Sequence, residues 1–164
     1  MAVDIRIATS QCDREAIYRL RYEVYVEEMG RRPMHVDDRA KQIIDPLDEA
    51  AMLFGAFEGD IAVGTARLNA WGDNNLMWYP DLYGMEAFGS EGKQSLAVAS
   101  KLMLHKHYRN QASATRSTAC CIALGSRTEC GLHSSTPTSQ SSHCICDWDF
   151  AITWAMSSTR NMAR

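Results

Sequence analysis

Two arginines and two aspartates stand out by position. Arg21 falls inside an apolar run, one turn from both Ile17 and Tyr25, and Arg67 ends the segment Val63-Gly-Thr-Ala-Arg67. Asp45 and Asp48 bracket Pro46-Leu47 between those two segments. Burying any one of these charges alone is costly, so mutual pairing is expected. Such a cluster is either a structural ion-pair network that fixes a long loop, or a site whose carboxylates hold a substrate ammonium and help to deprotonate it. A second candidate is Arg109-Asn110-Gln111-Ala112-Ser113-Ala114. Small residues where a strand turns into a helix leave backbone amides that can cradle a phosphate, although an ordinary turn explains them as well. His105 and His107 read as solvated strand-end residues. Trp71, Trp78 and Tyr79 read as core or pocket wall, and Cys12 as a small buried hydrophobe.

The elements that position these residues follow from periodicity. Val3, Ile5 and Ile7 alternate as in a half-buried strand. Ser10-Gln-Cys-Asp13 has the layout of a capping box, which predicts a helix from there to about Met29, stopped by Gly30. Ile17, Leu20 and Val24, flanked by Tyr18, Tyr22, Tyr25 and Met29, form its buried face, with Arg21 inside it. Residues 30–50 read as an irregular polar connection. Two strands, 51–57 and 61–68, are joined by Glu58-Gly59-Asp60, a hairpin signal because glycine supplies the positive φ of a tight reversal. On the second of them Ile61, Val63, Thr65 and Arg67 share a face. Residues 71–92 are turn-rich, with a short helix near 79–88, and a strand follows over 96–104. Strand, helix, hairpin, strand, loop and helix in that order predict an α/β layer with a mostly antiparallel sheet.

The whole chain has 164 residues, 46% of them hydrophobic, with a net charge of -3. That suits one domain with a sizeable core, and the acidic balance argues against nucleic acid or an anionic membrane as the partner. No apolar run reaches the ~18 residues of a membrane span, and MAVDIRIATS lacks the layout of a signal peptide, so a cytoplasmic protein without an integral membrane segment is expected.

Composition divides the chain near Gln111. Residues 1–111 hold 4 Ser, 2 Thr and 1 Cys, whereas 112–164 hold 10 Ser, 7 Thr and 5 Cys. A disulfide module would require an oxidising compartment. A zinc site has plausible ligands in Cys130-x-x-His133 and His143-Cys144-x-Cys146, at spacings that match no common finger. A tail that is not the natural continuation, for instance an out-of-frame translation, fits the Ser/Thr/Cys richness, weak periodicity and sudden onset best.

Four separated blocks, in order, carry a family resemblance. They are Tyr18-Arg-Leu-Arg-Tyr-Glu-Val-Tyr25 with Glu27-Glu-Met-Gly30, Asp45-Pro-Leu-Asp48, Val63-Gly-Thr-Ala-Arg67-Leu, and Ser100-Lys101-Leu-Met-Leu leading to Tyr108-Arg-Asn-Gln111. Through them residues 5–114 resemble the GNAT-related N-acyltransferases, a group that includes the N-acyl amino acid synthases and the acyl-homoserine-lactone synthases. The resemblance implies a GNAT-like α/β (α+β) three-layer fold around a mostly antiparallel twisted sheet. It implies a catalytic cluster of Arg21, Asp45, Asp48 and Arg67, with Tyr25, Ser100 and Lys101 facing substrate, the last two at the family's Ser-Arg pair. It implies a donor-arm site at Leu102, Met103, Leu104, Arg109, Asn110, Gln111, Ala112, Ser113 and Ala114. No tightly bound cofactor and no metal is implied; an acyl-carrier protein or acyl-CoA serves as co-substrate and an amino acid as acceptor. Lactone synthases usually carry Trp where this chain has Arg31 and Glu where it has Val98, which favours the N-acyl amino acid branch. Such a fold continues with a helix, a further central strand, another helix and a hairpin. The helix is placed from Ala112 to about Gly125, and no convincing strand is legible after it. From another class, a noncatalytic α/β scaffold with a Cys/His metal-binding module for interaction is the alternative.

Overall fold

A computed structural model describes residues 3–70, 76–88, 96–109 and 143–146. Its centre is a five-stranded sheet in the order β1-β4-β5-β6-β7, made of β1 (Asp4–Ile7), β4 (Met52–Glu58), β5 (Ile61–Ala70), β6 (Leu96–Leu104) and β7 (His143–Cys146). The first three pairings are antiparallel and the last is parallel. β4 and β5 form the hairpin, turning at Gly59 with φ +62. The strand after Gly125 that the sequence did not reveal is β7. It is four residues long, too short for a periodicity signal, and it pairs only with the first half of β6, Leu96 opposite His143 through Ala99 opposite Cys146.

One face of the sheet is covered by α1 (Gln11–Tyr22). Ser10 Oγ accepts a hydrogen bond from the Asp13 amide at 3.1 Å, which satisfies one free donor of the first turn. The reciprocal half of the expected capping box is replaced, because the Asp13 carboxylate pairs with Arg6 at 2.8 Å. Ile17, Tyr18, Leu20 and Val24 pack on Leu53, Phe57, Ala62 and Met103. Each fully buried side chain of this kind contributes about 1.5–3 kcal/mol. The helix does not run uniformly to Met29: over Glu23–Glu28 it widens into a π-helix, and Gly30 then leaves it with φ +64.

The connection from 30 to 50 is more ordered than its composition suggested. It holds a two-stranded ribbon of β2 (Val36–Asp37) and β3 (Gln42–Ile43), then a 3-10 turn over Pro46–Asp48. A short α2 (Tyr79–Leu82) and a second 3-10 turn, Met85–Phe88, supply the predicted helical piece beyond the hairpin. One core assignment is corrected: Cys12 is exposed, in the first helical turn. Of the residues expected in the core or pocket wall, Tyr79 is buried and Trp78, half exposed at the cap of α2, is not core. Trp71 lies outside the described residues.

β6 is not a regular strand. Thr65 of β5 stands opposite Met103 and Arg67 opposite Ser100, so β6 carries one residue more than its partner over this stretch. The extra residue forms a bulge at Lys101, whose φ of +54 is the left-handed region that a side chain enters at a cost of about 1 kcal/mol or more.

Candidate active site

The four charged residues meet between α1 and the sheet. Arg21 comes from the buried face of α1, Arg67 from β5, and both aspartates from the 3-10 turn, where Pro46 pre-sets the first turn position and the two carboxylates cap the backbone. Arg21 grips Asp48 as a fork, Nη1 to Oδ2 at 2.6 Å and Nη2 to Oδ1 at 3.0 Å. Oδ1 of Asp48 also accepts from Arg67 Nη1 at 3.4 Å, and Oδ2 from the Asp45 amide at 2.8 Å. Each carboxylate oxygen thus has two donors, which fills the acceptor capacity of the group. The Asp48 side chain is 2% exposed and that of Arg21 0%. Every partner is needed at that depth, because an unpaired ion there would be strongly destabilising.

Asp45 sits nearer the surface. Its Oδ1 accepts from the Leu47 amide at 3.0 Å and lies 3.1 Å from Arg67 Nη1, and its Oδ2 lies 3.3 Å from Lys101 Nζ. Burial works against its charge, but the Arg67 guanidinium, the Leu47 amide and the Lys101 ammonium outweigh it and hold the carboxyl below the ordinary 3.8. Lys101 is moved the other way. Burial first, then the nearby positive charges of Arg67 and Arg21, bring its ammonium below the usual lysine value against the pull of Asp45. Its Nζ stands 5.4 Å from the centre of the Tyr25 ring, on the π-helical turn.

Arg67 completes its coordination through Nε, which donates to Ser100 Oγ at 3.0 Å, and Nη2, which donates to Tyr79 OH at 3.5 Å. All seven residues assigned to catalysis and substrate are therefore in one assembly. The sequence reading missed three supports. Tyr79, which the sequence marks only as core or pocket wall, accepts from Arg67. Arg14 holds the turn through the Asp48 carbonyl at 2.6 Å, and Asn69 holds it through the Leu47 carbonyl at 2.9 Å. A signal existed for both: Arg14, Tyr18, Arg21 and Tyr25 recur at helical spacing, and Asn69 follows Arg67 by two along a strand.

The residues assigned to the donor arm are less uniform. Met103 is buried in the core under α1, and Leu102 packs on the opposite face of the sheet with Phe54, Ala66 and Leu68. Leu104 is half-buried, and its carbonyl accepts from Arg109 Nε at 2.9 Å. The Arg109 guanidinium is engaged by Glu28 of the π-helix, Nη2 to Oε2 at 2.6 Å with a second contact beside it. Asn110, Gln111, Ala112, Ser113 and Ala114 lie outside the described residues, as does the helix expected from Ala112. His105 is not a solvated strand end: its Nε2 lies 2.8 Å from Glu23 Oε1, at the start of the π-helix. Among the described residues no three His, Cys, Asp or Glu side chains are grouped to hold a metal. Cys130 and His133 fall outside them.

Past Ala99, β6 has no neighbour on its β7 side among the described residues, and the bulge at Lys101 falls within that stretch. The backbone amides and carbonyls of a strand beside a buried charge cluster can receive an extended ligand that carries amide groups. A family model of the acetyltransferase (GNAT) domain matches residues 20–118, a span that contains the whole cluster. The chain belongs to the GNAT family. Solved GNAT-like structures share its fold. The CoA-dependent acyl-homoserine lactone synthase BjaI, in its form with SAM and isopentyl-CoA, is 22% identical with a TM-score of 0.53, over 68% of this chain and 53% of that one. FeeM, an N-acyl amino acid synthase from uncultured soil microbes, is 20% identical with a TM-score of 0.56, over 80% and 67%. The AHL synthase LasI is 14% identical with a TM-score of 0.56, over 78% and 68%. The chain thus spans little more than half the length of BjaI. No curated protein matches it. No helix among the described residues of this GNAT protein is long and apolar enough to cross a membrane.

Proposed function

We propose that this chain is an N-acyltransferase that moves a fatty acyl group from an acyl-carrier-protein or CoA thioester to the amino group of an amino acid. The observation that carries the reading is the Asp45–Lys101 pair, which joins the buried arginine–aspartate cluster to the bulge on β6, past its pairing with β7. A thioester laid along that strand would bring its carbonyl to backbone amides of β6, which would supply hydrogen bonds to the developing oxyanion. Asp45 remains ionised and has acceptor capacity for an ammonium group. Asp48, with all its acceptor positions filled, acts by positioning Arg21, Arg67 and the turn. Much of the acceleration then comes from holding amine and thioester together.

An amino acid acceptor is favoured over the lactone chemistry of BjaI and LasI by Val98. It is fully buried, opposite Asn69 and packed with Leu47, Leu96 and Met85. An apolar side chain there leaves no carboxylate at the position where lactone synthases usually carry Glu.

The test is release of free thiol from an acyl-CoA or an acyl-carrier protein. Release should require an added amino acid and should yield an amide. Thiol release at the same rate with and without the amine would contradict the reading.

A further inference from the structure

In the cluster, Arg21 and Arg67 contribute two positive charges and Asp45 and Asp48 two negative ones, and these balance. Lys101 is a third cation on this cluster among the described residues, beside Arg14, which is bound to the Asp48 carbonyl. It differs from the other four in three ways. Its side chain is 18% exposed, more than Arg21, Arg67, Asp45 or Asp48. It is held in the left-handed conformation at the bulge, which fixes where its Cα–Cβ bond starts. Its ammonium can also lose a proton, as an arginine's guanidinium cannot.

The geometry points to Lys101 as the group that takes the proton from the acceptor ammonium, an assignment that rests on the acyltransferase reading. Among the described residues, the charged and titratable groups facing it are Asp45 from the 3-10 turn, Arg67 from β5, Arg21 from α1 and the Tyr25 ring from the π-helix. When Lys101 is neutral the four other charges, Arg21, Arg67, Asp45 and Asp48, balance; two fixed guanidiniums and burial oppose its reprotonation, against the pull of Asp45. Desolvation beside other cations is a known way to free a lysine amine near neutral pH. Asp45 is the weaker base, since its carboxyl is held below the ordinary range.

The step balances. The acceptor R–NH3+ passes one proton to the lone pair of Lys101 Nζ and becomes R–NH2. Its nitrogen attacks the thioester carbonyl, the C–N bond forms and the C–S bond breaks. The thiolate leaves with the bonding pair and takes the second proton from the nitrogen, giving amide and thiol. Lys101 then returns its proton to water.

Two measurements test this. In the wild-type chain, lysine side-chain resonances followed against pH should show Lys101 losing its proton at lower pH than Lys41, which Glu27 holds in its charged form. Titration of Lys101 at or above Lys41 would overturn the assignment. In turnover, Lys101→Arg keeps the positive charge beside Asp45 but stays protonated, with no lone pair to take the proton. Its kcat should fall by about 10²-fold or more, with the KM for the amino acid little changed and the residual rate rising only as the acceptor ammonium loses its proton in solution at higher pH. Wild-type kcat and pH profile in Lys101→Arg, with loss only in Lys101→Met, would make Lys101 a fixed positive anchor and remove its catalytic part. No amine-dependent thiol release from the wild type would remove the acyltransferase reading and this assignment with it.

Discussion

At the scale of single residues, the site is governed by Asp48. It accepts four hydrogen bonds while almost wholly buried, and two arginines depend on it for neutralisation. Asp48→Asn keeps the shape and removes the charge, leaving Arg21 and Arg67 with Asp45 as the one nearby anion among the described residues. The loss should be about 3–5 kcal/mol, read as a lower urea midpoint. A midpoint within error of wild type would show the pair to be dispensable. The meeting of these four residues was legible because a charge on an apolar helix face demands a partner. The identity of the partner was legible only in part: two aspartates were available, and which arginine each takes depends on the turn geometry over Pro46–Asp48. Tyr79 escaped notice because a buried tyrosine in a sequence looks like any other aromatic of the core.

At the scale of elements, strand and hairpin boundaries were readable to within a residue or two where polar and apolar residues alternate, and β6 lies where the expected strand of about 96–104 was placed. Its bulge was not, since Ser100-Lys101-Leu102 contains no glycine to mark a left-handed position. The π-helix was equally hidden. Its wider turn coincides with two cross-links to the end of β6, Glu23 with His105 and Glu28 with Arg109, and such pairs are tertiary facts. In β4, Gly55 is required by space. A Cβ added there would stand 2.2 Å from the Phe57 ring two residues on, and that ring is fully buried beneath α1. Gly55→Ala should therefore cost about 1–3 kcal/mol by overpacking, visible as a lower melting temperature. An unchanged melt would mean that the ring can turn aside freely.

At the scale of the molecule, charge pairing makes stability depend on acid. Asp45, Asp13 and Asp38 all have carboxyls held below 3.8, Asp45 by Arg67 against the cost of burial, Asp13 by Arg6 and Asp38 by Arg32. Below that value the unfolded chain binds more protons than the folded one, so stability rises with pH through the window. Their contribution is fully present above about pH 4 and is lost as pH falls through the folded values. Urea midpoints taken from about pH 5 down to pH 2.5 should fall steeply, and Asp45→Asn should flatten part of the slope. A flat wild-type profile would exclude these pairs as a source of stability. A mostly antiparallel sheet in an α/β layer was predictable at this scale from element order, and the GNAT-like layering from the family resemblance. The last strand was not, because four residues inside a Ser/Thr/Cys-rich stretch carry no pattern of their own.

The parallel register of that strand bears on how the chain is made. A ribosome releases β6 well before His143–Cys146, and a parallel partner cannot be supplied by a tight turn. Until those residues emerge, the backbone of Leu96–Ala99 is a bare β edge on a nascent chain, open to pairing with a neighbouring polypeptide. Slow translation between codons 104 and 143 should lengthen that interval and raise the fraction of product that aggregates.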